Sequence, residues 1–336
     1  MLDSKTIVAK TLIPHRAFEE ASRRLDQCFE YAQSEDEPVC IALVGESRTG
    51  KSRAIEGCLV RHPIQRTPDG LVVPILRVKT PPKPTVKALA ELMLRGLNDP
   101  LFDKGTENAK TIRLRKLITS SGVVMVAIDE FQHFVDKGSL KVMHHVADWL
   151  KVLVDDCGVA LVVAGLPRCQ AVLEQNEQLA GRFMSPIFMP RFDWQDQDQR
   201  EEFTEILGAF HESLSAHFEL PALDAPELAF RCYCATGGLM GYLTKFLRQA
   251  VWNALDRQSN TIDLEALCAA HQEAVWSMDG IEGMPNPFSR QFVAEPTIAL
   301  ISRIRALGQA VEPPPVSRAR PRKMEKMGVR ELLSAS

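Results

Sequence analysis

Short apolar runs alternate with longer stretches of helical periodicity through the middle of the chain. The runs occupy residues 39–44, 71–78, 123–128, 159–164 and, more weakly, 186–189. Near-continuous apolar runs of this length predict strands buried on both faces, which is typical of a parallel sheet covered by helices. The segments between the runs are long enough for crossover helices. The pattern predicts an α/β fold with a parallel five-stranded sheet flanked by helices.

The two ends of the chain show other patterns. Residues 14–32 predict an amphipathic helix whose apolar face carries Phe18, Ala21, Leu25, Cys28 and Phe29. Strand signals vanish after residue 193, where helical periodicity begins, and the sequence beyond 277 is rich in Pro, Gly and Arg. We therefore expect an N-terminal helical extension (1–37), an α/β core (38–193), a small all-helical domain (194–275), and a C-terminal extension with a basic, partly disordered tail (276–336).

Composition excludes several classes of protein. The 336 residues are 45% apolar and 25% charged, as in ordinary globular proteins. The net charge of −3 excludes a protein that is basic throughout, so a nucleic-acid site has to be a local patch. The eight cysteines are scattered without a CxxC pair, which favours reduced thiols over a disulfide framework or a zinc site. With no apolar run near the roughly 18 residues of a membrane span and no signal-peptide core, we expect a cytoplasmic protein without membrane contact.

Residues 45–52, GESRTGKS, match the phosphate-binding loop G-x-x-x-x-G-K-[ST]. The loop follows a predicted strand and precedes a predicted helix, so its backbone N–H groups and the helix N-terminus face a phosphate. Lys51 is expected to reach the β- and γ-phosphates, and the Ser52 hydroxyl to ligate Mg²⁺. The predicted nucleotide-binding residues are Gly45, Glu46, Ser47, Arg48, Thr49, Gly50, Lys51, Ser52 and Arg53.

A second motif follows the third apolar run, where Asp129 and Glu130 end a predicted buried strand. The carboxyl ends of parallel strands are where such sheets bind ligands. Asp129 is expected to contact the nucleotide site and hold Mg²⁺, and Glu130 to polarise the attacking water as general base. Together with the phosphate-binding loop, this pair predicts ATP hydrolysis or an ATP-dependent switch.

The predicted strand 71–78 lies between the two motifs along the chain. This order resembles that of P-loop ATPases with an additional strand, and the helical domain 194–275 resembles the lid of AAA+ proteins. The stretch from Ile128 to Phe134, IDEFQHF, resembles a motif of the TniB/TnsC family, ATPases that regulate DNA transposition. The resemblance covers about residues 38–275. It implies an AAA+ core followed by a helical lid, with ATP and Mg²⁺ as cofactors.

The resemblance also implies an arginine finger, which projects from one subunit onto the γ-phosphate of its neighbour. Arg182 lies just before the fifth strand, where AAA+ proteins keep this residue, and Arg191 is the alternative. Either arginine would couple ATP to a homo-oligomer, in the form of a ring or a filament.

Two departures from the AAA+ pattern concern the sensor positions. Gly165 occupies the first sensor position, where AAA+ proteins usually have a polar side chain that orients the attacking water. Gln132 and His133 are the candidates for orienting that water here. The second lies within residues 237–241, which carry no arginine, although Arg248 follows two turns later. These departures predict slow hydrolysis.

Basic residues cluster between the second strand and the Asp-Glu motif, a region that lines the inner surface of AAA+ rings that enclose DNA. The spacing of Lys83 and Lys87 predicts that both face one phosphate backbone from one helical turn. No aromatic residue is interleaved, so binding to duplex DNA is expected to be independent of sequence. The predicted DNA contacts are Lys79, Lys83, Lys87, Lys104, Lys110 and Arg113.

The features together favour an ATP-dependent transposition regulator that assembles on DNA and couples a target-selection protein to the transposase. Two alternatives remain, a nucleotide-switched signalling scaffold that assembles without DNA, and a remodeller of the helicase-loader type. Residues 316–330 are basic and precede apolar positions, which is consistent with a DNA tether or, in the sharper hypothesis, a docking peptide for the transposase.

Overall fold

In the computed structural model, residues 6–11, 13–34, 39–68, 70–275 and 284–307 are described. The predicted tail functions at 316–330 lie outside the described residues. The strands are β1 (Cys40–Val44), β2 (Gln65–Thr67), β3 (Gly70–Val72), β4 (Ile75–Lys79), β5 (Met125–Asp129), β6 (Ala160–Gly165) and β7 (Ile187–Phe188). The helices of the α/β part are α1 (Ile7–Lys10), α2 (Arg16–Ser34), α3 (Lys51–Arg61), α4 (Val86–Gly96), α5 (Glu107–Ser120), α6 (His133–Asp136), α7 (Leu140–Cys157), α8 (Gln170–Leu173) and α9 (Glu177–Ala180). The later helices are α10 (Gln197–Ser215), α11 (Pro226–Thr236), α12 (Met240–Asp256), α13 (Leu264–Ala274) and α14 (Ile298–Ile304).

The predicted parallel sheet is confirmed. Its five strands lie in the order β4-β5-β6-β1-β7, so β6 separates the strand before the phosphate-binding loop from the strand that ends in Asp129. Both faces of β1 are covered, because Ile41 and Leu43 belong to one hydrophobic cluster while Ala42 and Val44 belong to the other. This explains why the strands are apolar throughout rather than at alternate positions.

The predicted second strand, 71–78, is wrong as a single element. Its first part pairs as β3 with β2 in a separate antiparallel hairpin, and its second part enters the main sheet as β4. Pro74 lies between the two parts and has no N–H group to donate to a ladder. Its carbonyl oxygen instead accepts hydrogen bonds from Val124 and Met125 at the start of β5.

The N-terminal helix forms as α2, and the five apolar residues predicted for one face are all buried. That face belongs to the cluster between the sheet and α3, which also contains Ala54 and Ile55. The helix therefore packs against the same side of the sheet as the helix that follows the phosphate-binding loop.

Helices α10 to α14 pack around a second core that is rich in aromatic residues. Trp194, Phe203, Phe230 and Tyr233 contact one another there, with ring centroids between 5.1 and 6.4 Å apart. Val8 of α1 and apolar residues within 284–307 belong to the same core. The domain boundaries at 37, 193 and 275 stay predictions. Within the described part of the chain, none of the helices has the length and apolar character needed to cross a membrane.

Candidate nucleotide-binding site

The phosphate-binding loop leaves β1 and enters α3, whose first residue is Lys51. The Lys51 ammonium donates to the carbonyl oxygens of Gly45, at 2.9 Å, and Glu46, at 2.5 Å, so the loop is wrapped around it. Burial lowers the pKa of Lys51 below its ordinary value, while Glu130 and Asp129 oppose that shift. The first N–H groups of α3 have no partner within the helix and, with Lys51, form a site for an anion.

The two motifs meet at Asp129, which is buried at the end of β5. Its Oδ2 accepts a hydrogen bond from the Ser52 hydroxyl at 2.7 Å. It also accepts one from the Arg77 guanidinium at 2.9 Å, and Arg77 binds Glu56 of α3 at 3.0 Å as well. Hydroxyl and carboxylate oxygens are ligands that Mg²⁺ prefers, so Ser52 and Asp129 fit that ion.

Arg77 is a residue of this site that the sequence pattern did not assign to it. The signal is a charged side chain inside the apolar run of β4, which lies next to β5 in the sheet. Its side chain is only 17% exposed, which is low for an arginine without a partner. The register of β4 and β5 places Arg77 opposite Ala127, from which its side chain reaches Asp129.

Glu130 has a positive φ of 57°, which is uncommon for a residue other than glycine and occurs often at functional sites. Its N–H group donates to Asp129 Oδ1 at 3.0 Å. Its carboxylate accepts a hydrogen bond from Gln132 Nε2 at 2.6 Å and lines the same cavity as Lys51. The chain reversal after β5 thus presents the acid to that cavity.

The cavity has a volume of about 500 Å³ and extends from the phosphate-binding loop to the N-terminal segment. Lys51, Ser52 and Glu130 line the phosphate end. The rest of the lining, here called the far end, is largely apolar and aromatic and comprises Val8, Ile13, His15, Phe18, Phe210 and Met240. A polar end joined to an apolar end suits a ligand with phosphates and a flat base.

Sequence reasoning missed the far end because apolar contacts to a base need no fixed residue type. His15 is the exception that carries a titratable group. Its ring lies 5.3 Å from that of Phe192 and 6.0 Å from that of Phe18. Burial lowers the pKa of His15 to about 4, against an opposite effect of the nearby Glu19 carboxylate.

Helix α12 contacts the phosphate-binding loop through backbone atoms. The Gly241 N–H group donates to the Arg48 carbonyl oxygen at 2.8 Å, and the Arg48 guanidinium lies 4.5 Å from the centre of the Tyr242 ring. A Cβ atom on Gly241 would lie 2.7 Å from Arg48 Cβ, so a side chain there requires the loop or the helix to move. Arg248, farther along α12, also lines the cavity.

Arg191 makes its contacts within its own chain, and its role as the alternative arginine finger stays a prediction. Its guanidinium is buried and makes two hydrogen bonds to the Glu46 carboxylate, of which the bond from Nε is 2.9 Å. It also donates to the carbonyl oxygens of Gly237, at 3.2 Å, and Leu307, at 3.0 Å. Arg191 therefore links the phosphate-binding loop to the helical part.

Arg182 forms an ion pair with Asp155 of α7 at 2.7 Å. Its carbonyl oxygen accepts a hydrogen bond from the N–H group of Cys40, the first residue of β1, whereas the phosphate-binding loop follows the last residue of that strand. Arg182 thus lies away from the site of its own chain. Its contact with a neighbouring subunit stays a prediction.

Among the predicted DNA contacts, Lys79, Lys83 and Lys87 are exposed. The expectation that Lys83 and Lys87 share one helical turn is wrong, because α4 begins at Val86. Thr85 caps the helix by accepting a hydrogen bond from Ala88, so Lys83 lies in the preceding loop.

The expectation that Lys110 contacts DNA is also wrong. Its side chain is fully buried, and its ammonium binds the Phe102 carbonyl oxygen at 2.9 Å and Glu91 at 3.1 Å. Arg113 likewise stabilises the loop before α5, through Asp99 at 2.5 Å and the Leu101 carbonyl oxygen at 2.6 Å. Lys104 is exposed and pairs with Asp103. Periodicity along α5 did not distinguish these inward-facing cations from exposed ones.

One group of potential metal ligands occurs among the described residues away from the cavity. Asp26, Cys58 and His62 place ligand atoms within 4.8 Å of one another at the contact between α2 and α3. Arg61 already makes two hydrogen bonds to the same Asp26 oxygen, at 2.8 and 3.0 Å. In this structure the Asp26 carboxylate is therefore paired with Arg61.

The fold is similar to that of several solved structures. Cdc6p from Pyrobaculum aerophilum matches with a TM-score of 0.60 and 14% identity, over 84% of this chain and 74% of that chain. The ORC2 protein of Aeropyrum pernix, in ADPNP–ADP complexes, matches with a TM-score of 0.58 and 15% identity, over 81% and 72% of the two chains. The ORC1 protein of the same organism, in complex with DNA, matches with a TM-score of 0.55 and 17% identity, over 80% and 69%. These neighbours show that the chain has an AAA+ fold.

Sequence comparison gives a closer assignment. No curated protein sequence matches the chain significantly. The sequence profile described as "Bacterial TniB protein" matches residues 4–194, which include the phosphate-binding loop, the Asp-Glu motif and all five strands of the main sheet. The chain therefore belongs to the TniB family.

Proposed function

We propose that this protein is an ATPase that regulates DNA transposition by assembling on target DNA and coupling a target-selection protein to the transposase. The observation that carries the proposal is the convergence of Lys51, Ser52 and Glu130 at one cavity of a TniB-family chain, with Asp129 hydrogen-bonded to Ser52. The similar ORC2 structure is in ADPNP–ADP complexes and the similar ORC1 structure is in complex with DNA, which supports both parts of the proposal by analogy.

ATP binding follows from the two ends of the cavity. The N–H groups of the loop and the Lys51 ammonium bind the phosphates, and the apolar side chains around Phe18 and Met240 contact the base. Ser52 and Asp129 would hold Mg²⁺, which neutralises charge on the β- and γ-phosphate oxygens when bound. Glu130 orients a water molecule and accepts its proton as that water attacks the γ-phosphorus, while the bond from the γ-phosphorus to the bridging oxygen breaks and ADP leaves.

Slow hydrolysis follows from what surrounds Glu130. Neither Gly165 nor Gly241 brings a polar side chain to the γ-phosphate, and the proposed finger Arg182 has to come from a neighbouring subunit. A polar side chain at position 165 or 241, or an arginine from a neighbour, would stabilise the charge of the transition state. A single subunit lacks all three of these contributions. We therefore propose that ATP stabilises a homo-oligomeric ring or filament and that hydrolysis, stimulated by DNA, releases it as a switch.

The exposed lysines Lys79, Lys83 and Lys87 are the proposed contacts to duplex DNA. Lys79 is the last residue of β4 at the carboxyl edge of the sheet, Lys83 lies in the loop that follows, and Lys87 lies in the first turn of α4. Flexible ammonium groups bind phosphates without regard to base sequence. We propose a cytoplasmic, DNA-associated location on the same grounds.

Electron microscopy of the purified protein tests this proposal. With ATP and duplex DNA together we expect rings or filaments, and with either ligand alone we expect few. A variant with alanine at Lys79, Lys83 and Lys87 should bind ATP normally and fail to assemble. Assemblies that form equally without DNA would favour a signalling scaffold, and ATP turnover of about ten per second or faster would contradict a switch and favour a remodeller.

A further inference from the structure

We propose that Gln132 is the positioning residue for Glu130, and that it occupies the space that a side chain at position 165 would fill. The polar side chain next to the Glu130 carboxylate then comes from the loop that carries Glu130. It does not come from position 165, the sensor position at the end of β6. The inference rests on the proposed ATPase function and names the residue that prepares its general base.

The Gln132 amide is fixed at both of its ends. Its side chain is buried, Nε2 donates to Glu130 Oε2 at 2.6 Å, and Oε1 accepts a hydrogen bond from the Leu166 N–H group at 3.2 Å. Because Leu166 directly follows β6, the amide connects the acid to the end of the neighbouring strand. The donor end of the amide is therefore turned toward the carboxylate.

Gly165 makes this arrangement possible. A Cβ atom built there would lie 2.7 Å from Gln132 Oε1 and 3.2 Å from both the Gln132 N atom and Cys169 Cβ. Gly165 lies at the end of β6 and is absent from the residues with positive φ among those described, so its backbone accepts other residues. The close approach of Gln132 is the reason why glycine is required.

Glu130 needs such a partner because its left-handed backbone alone does not fix its side chain. The amide hydrogen bond restricts the carboxylate to one orientation, which is the requirement for a base that has to meet a water molecule. The sequence offered both Gln132 and His133 for this role. Among the described contacts, Gln132 is the one that is bonded to Glu130.

The test combines three variants with two measurements. Gln132→Ala should lower kcat about 10- to 100-fold, because a misplaced base reacts more slowly, while the Kd for ATP stays within about 3-fold. Gly165→Asn should lower both kcat and the melting temperature, because the new side chain has to displace Gln132. The double variant should recover part of both relative to Gly165→Asn, since asparagine at 165 then has the space vacated by the Gln132 amide, while the contacts with the Gln132 N atom and Cys169 Cβ remain.

Gln175→Ala is the matched control, because the Gln175 amide also bonds within a nearby segment, to the Ala171 carbonyl oxygen, and has no contact with Glu130 in the described structure. It should leave kcat and Kd unchanged. The proposal is overturned if Gln132→Ala keeps the wild-type kcat, if kcat and ATP affinity fall together, or if the double variant is merely the sum of the single ones. If the wild-type protein binds ATP without any turnover, the proposed ATPase function itself fails. If the wild type hydrolyses ATP and only the Gln132 variants behave otherwise than expected, the positioning role of Gln132 alone fails.

Discussion

The two ends of the cavity are built from different kinds of residue. The phosphate end uses Lys51, Ser52 and Glu130, with Asp129 bonded to Ser52, and their charges and hydrogen bonds restrict each position to one or two residue types. The far end uses Val8, Ile13 and Met240, where many apolar residues would serve. At the phosphate end, the chemistry of the ligand restricts the residue types. At the far end, only the packing of apolar side chains restricts them. The comparison teaches that a motif marks where a ligand is charged, not how far its site extends.

The largest effect is expected at the phosphate end, from Lys51→Ala. The variant removes the ammonium that faces the phosphates, and charged hydrogen bonds of this kind contribute about 1.5–3 kcal/mol each. We expect ATP affinity to fall at least about 100-fold, and hydrolysis and assembly to be lost with it. Titration with a fluorescent ATP analogue measures the affinity. The exposed Lys79→Ala is the control, and an unchanged Kd for Lys51→Ala would show that the cavity is not the ATP site.

Glu130→Gln should separate binding from hydrolysis. Glutamine keeps the size and the polarity of the side chain but cannot accept the proton, so kcat should fall about 100-fold or more while the Kd for ATP is retained. The assembled state should then persist, as electron microscopy and a turnover assay can establish together. Failure of this variant to assemble with ATP and DNA would give Glu130 a structural role instead.

The phosphate end was largely predictable from the sequence, and the reasons are physical. The loop and the Asp-Glu pair carry fixed residue types at fixed places relative to strands. The contact between Arg77 and Asp129 was not predicted, because it depends on β4 lying next to β5 in the sheet. The order of strands in the sheet cannot be read from a local pattern. Lys110 was misassigned because a buried ammonium needs partners from other elements, here Phe102 and Glu91, that no local pattern reveals.

Most of the fold was predictable, and its failures were local. The five strands followed from apolar runs because both faces of the sheet are buried. The division of residues 71–78 depended on Pro74, whose missing N–H group was overlooked. Lys83 was placed on a helix because Pro84 and the cap at Thr85 were not weighed as a helix start. The far end of the cavity could not be predicted, because it requires α1 to pack on α10 and α12.

A change of pH should affect the far end through His15. Its pKa is about 4 in the folded protein against an ordinary value of 6.5, so the unfolded chain binds a proton between these values that the folded chain excludes. The stabilisation is therefore complete above pH 6.5 and is lost as the pH falls to about 4. It amounts to about 3 kcal/mol.

Urea unfolding between pH 7.5 and 4.5 measures this effect. His15→Leu should reduce the dependence of the unfolding free energy on pH by that amount, whereas the exposed His217→Leu should leave it as in the wild type. Equal slopes for the wild type and His15→Leu would mean that the far end is open to water, which would remove the contrast between the two ends.

The smallest effect tests the connection between the phosphate-binding loop and the helical part. Arg191→Ala removes the bonds to Glu46 and to the carbonyl oxygens of Gly237 and Leu307, so we expect a loss of about 2 kcal/mol in unfolding free energy. Glu46→Ala should cost less, because 38% of that side chain is exposed and water screens the pair.

A double-mutant cycle isolates the Arg191–Glu46 contact, with a coupling energy of roughly 1 kcal/mol expected. Arg191→Lys should recover little of it, since an ammonium cannot make the paired hydrogen bonds that a guanidinium makes to a carboxylate. The cycle should be repeated with saturating ATP. If the loop and the helical part respond to the nucleotide as one unit, the coupling energy changes when ATP binds. An unchanged coupling energy would mean that the Arg191–Glu46 bond only stabilises the fold. The phosphate end would then respond to ATP independently of the helical part.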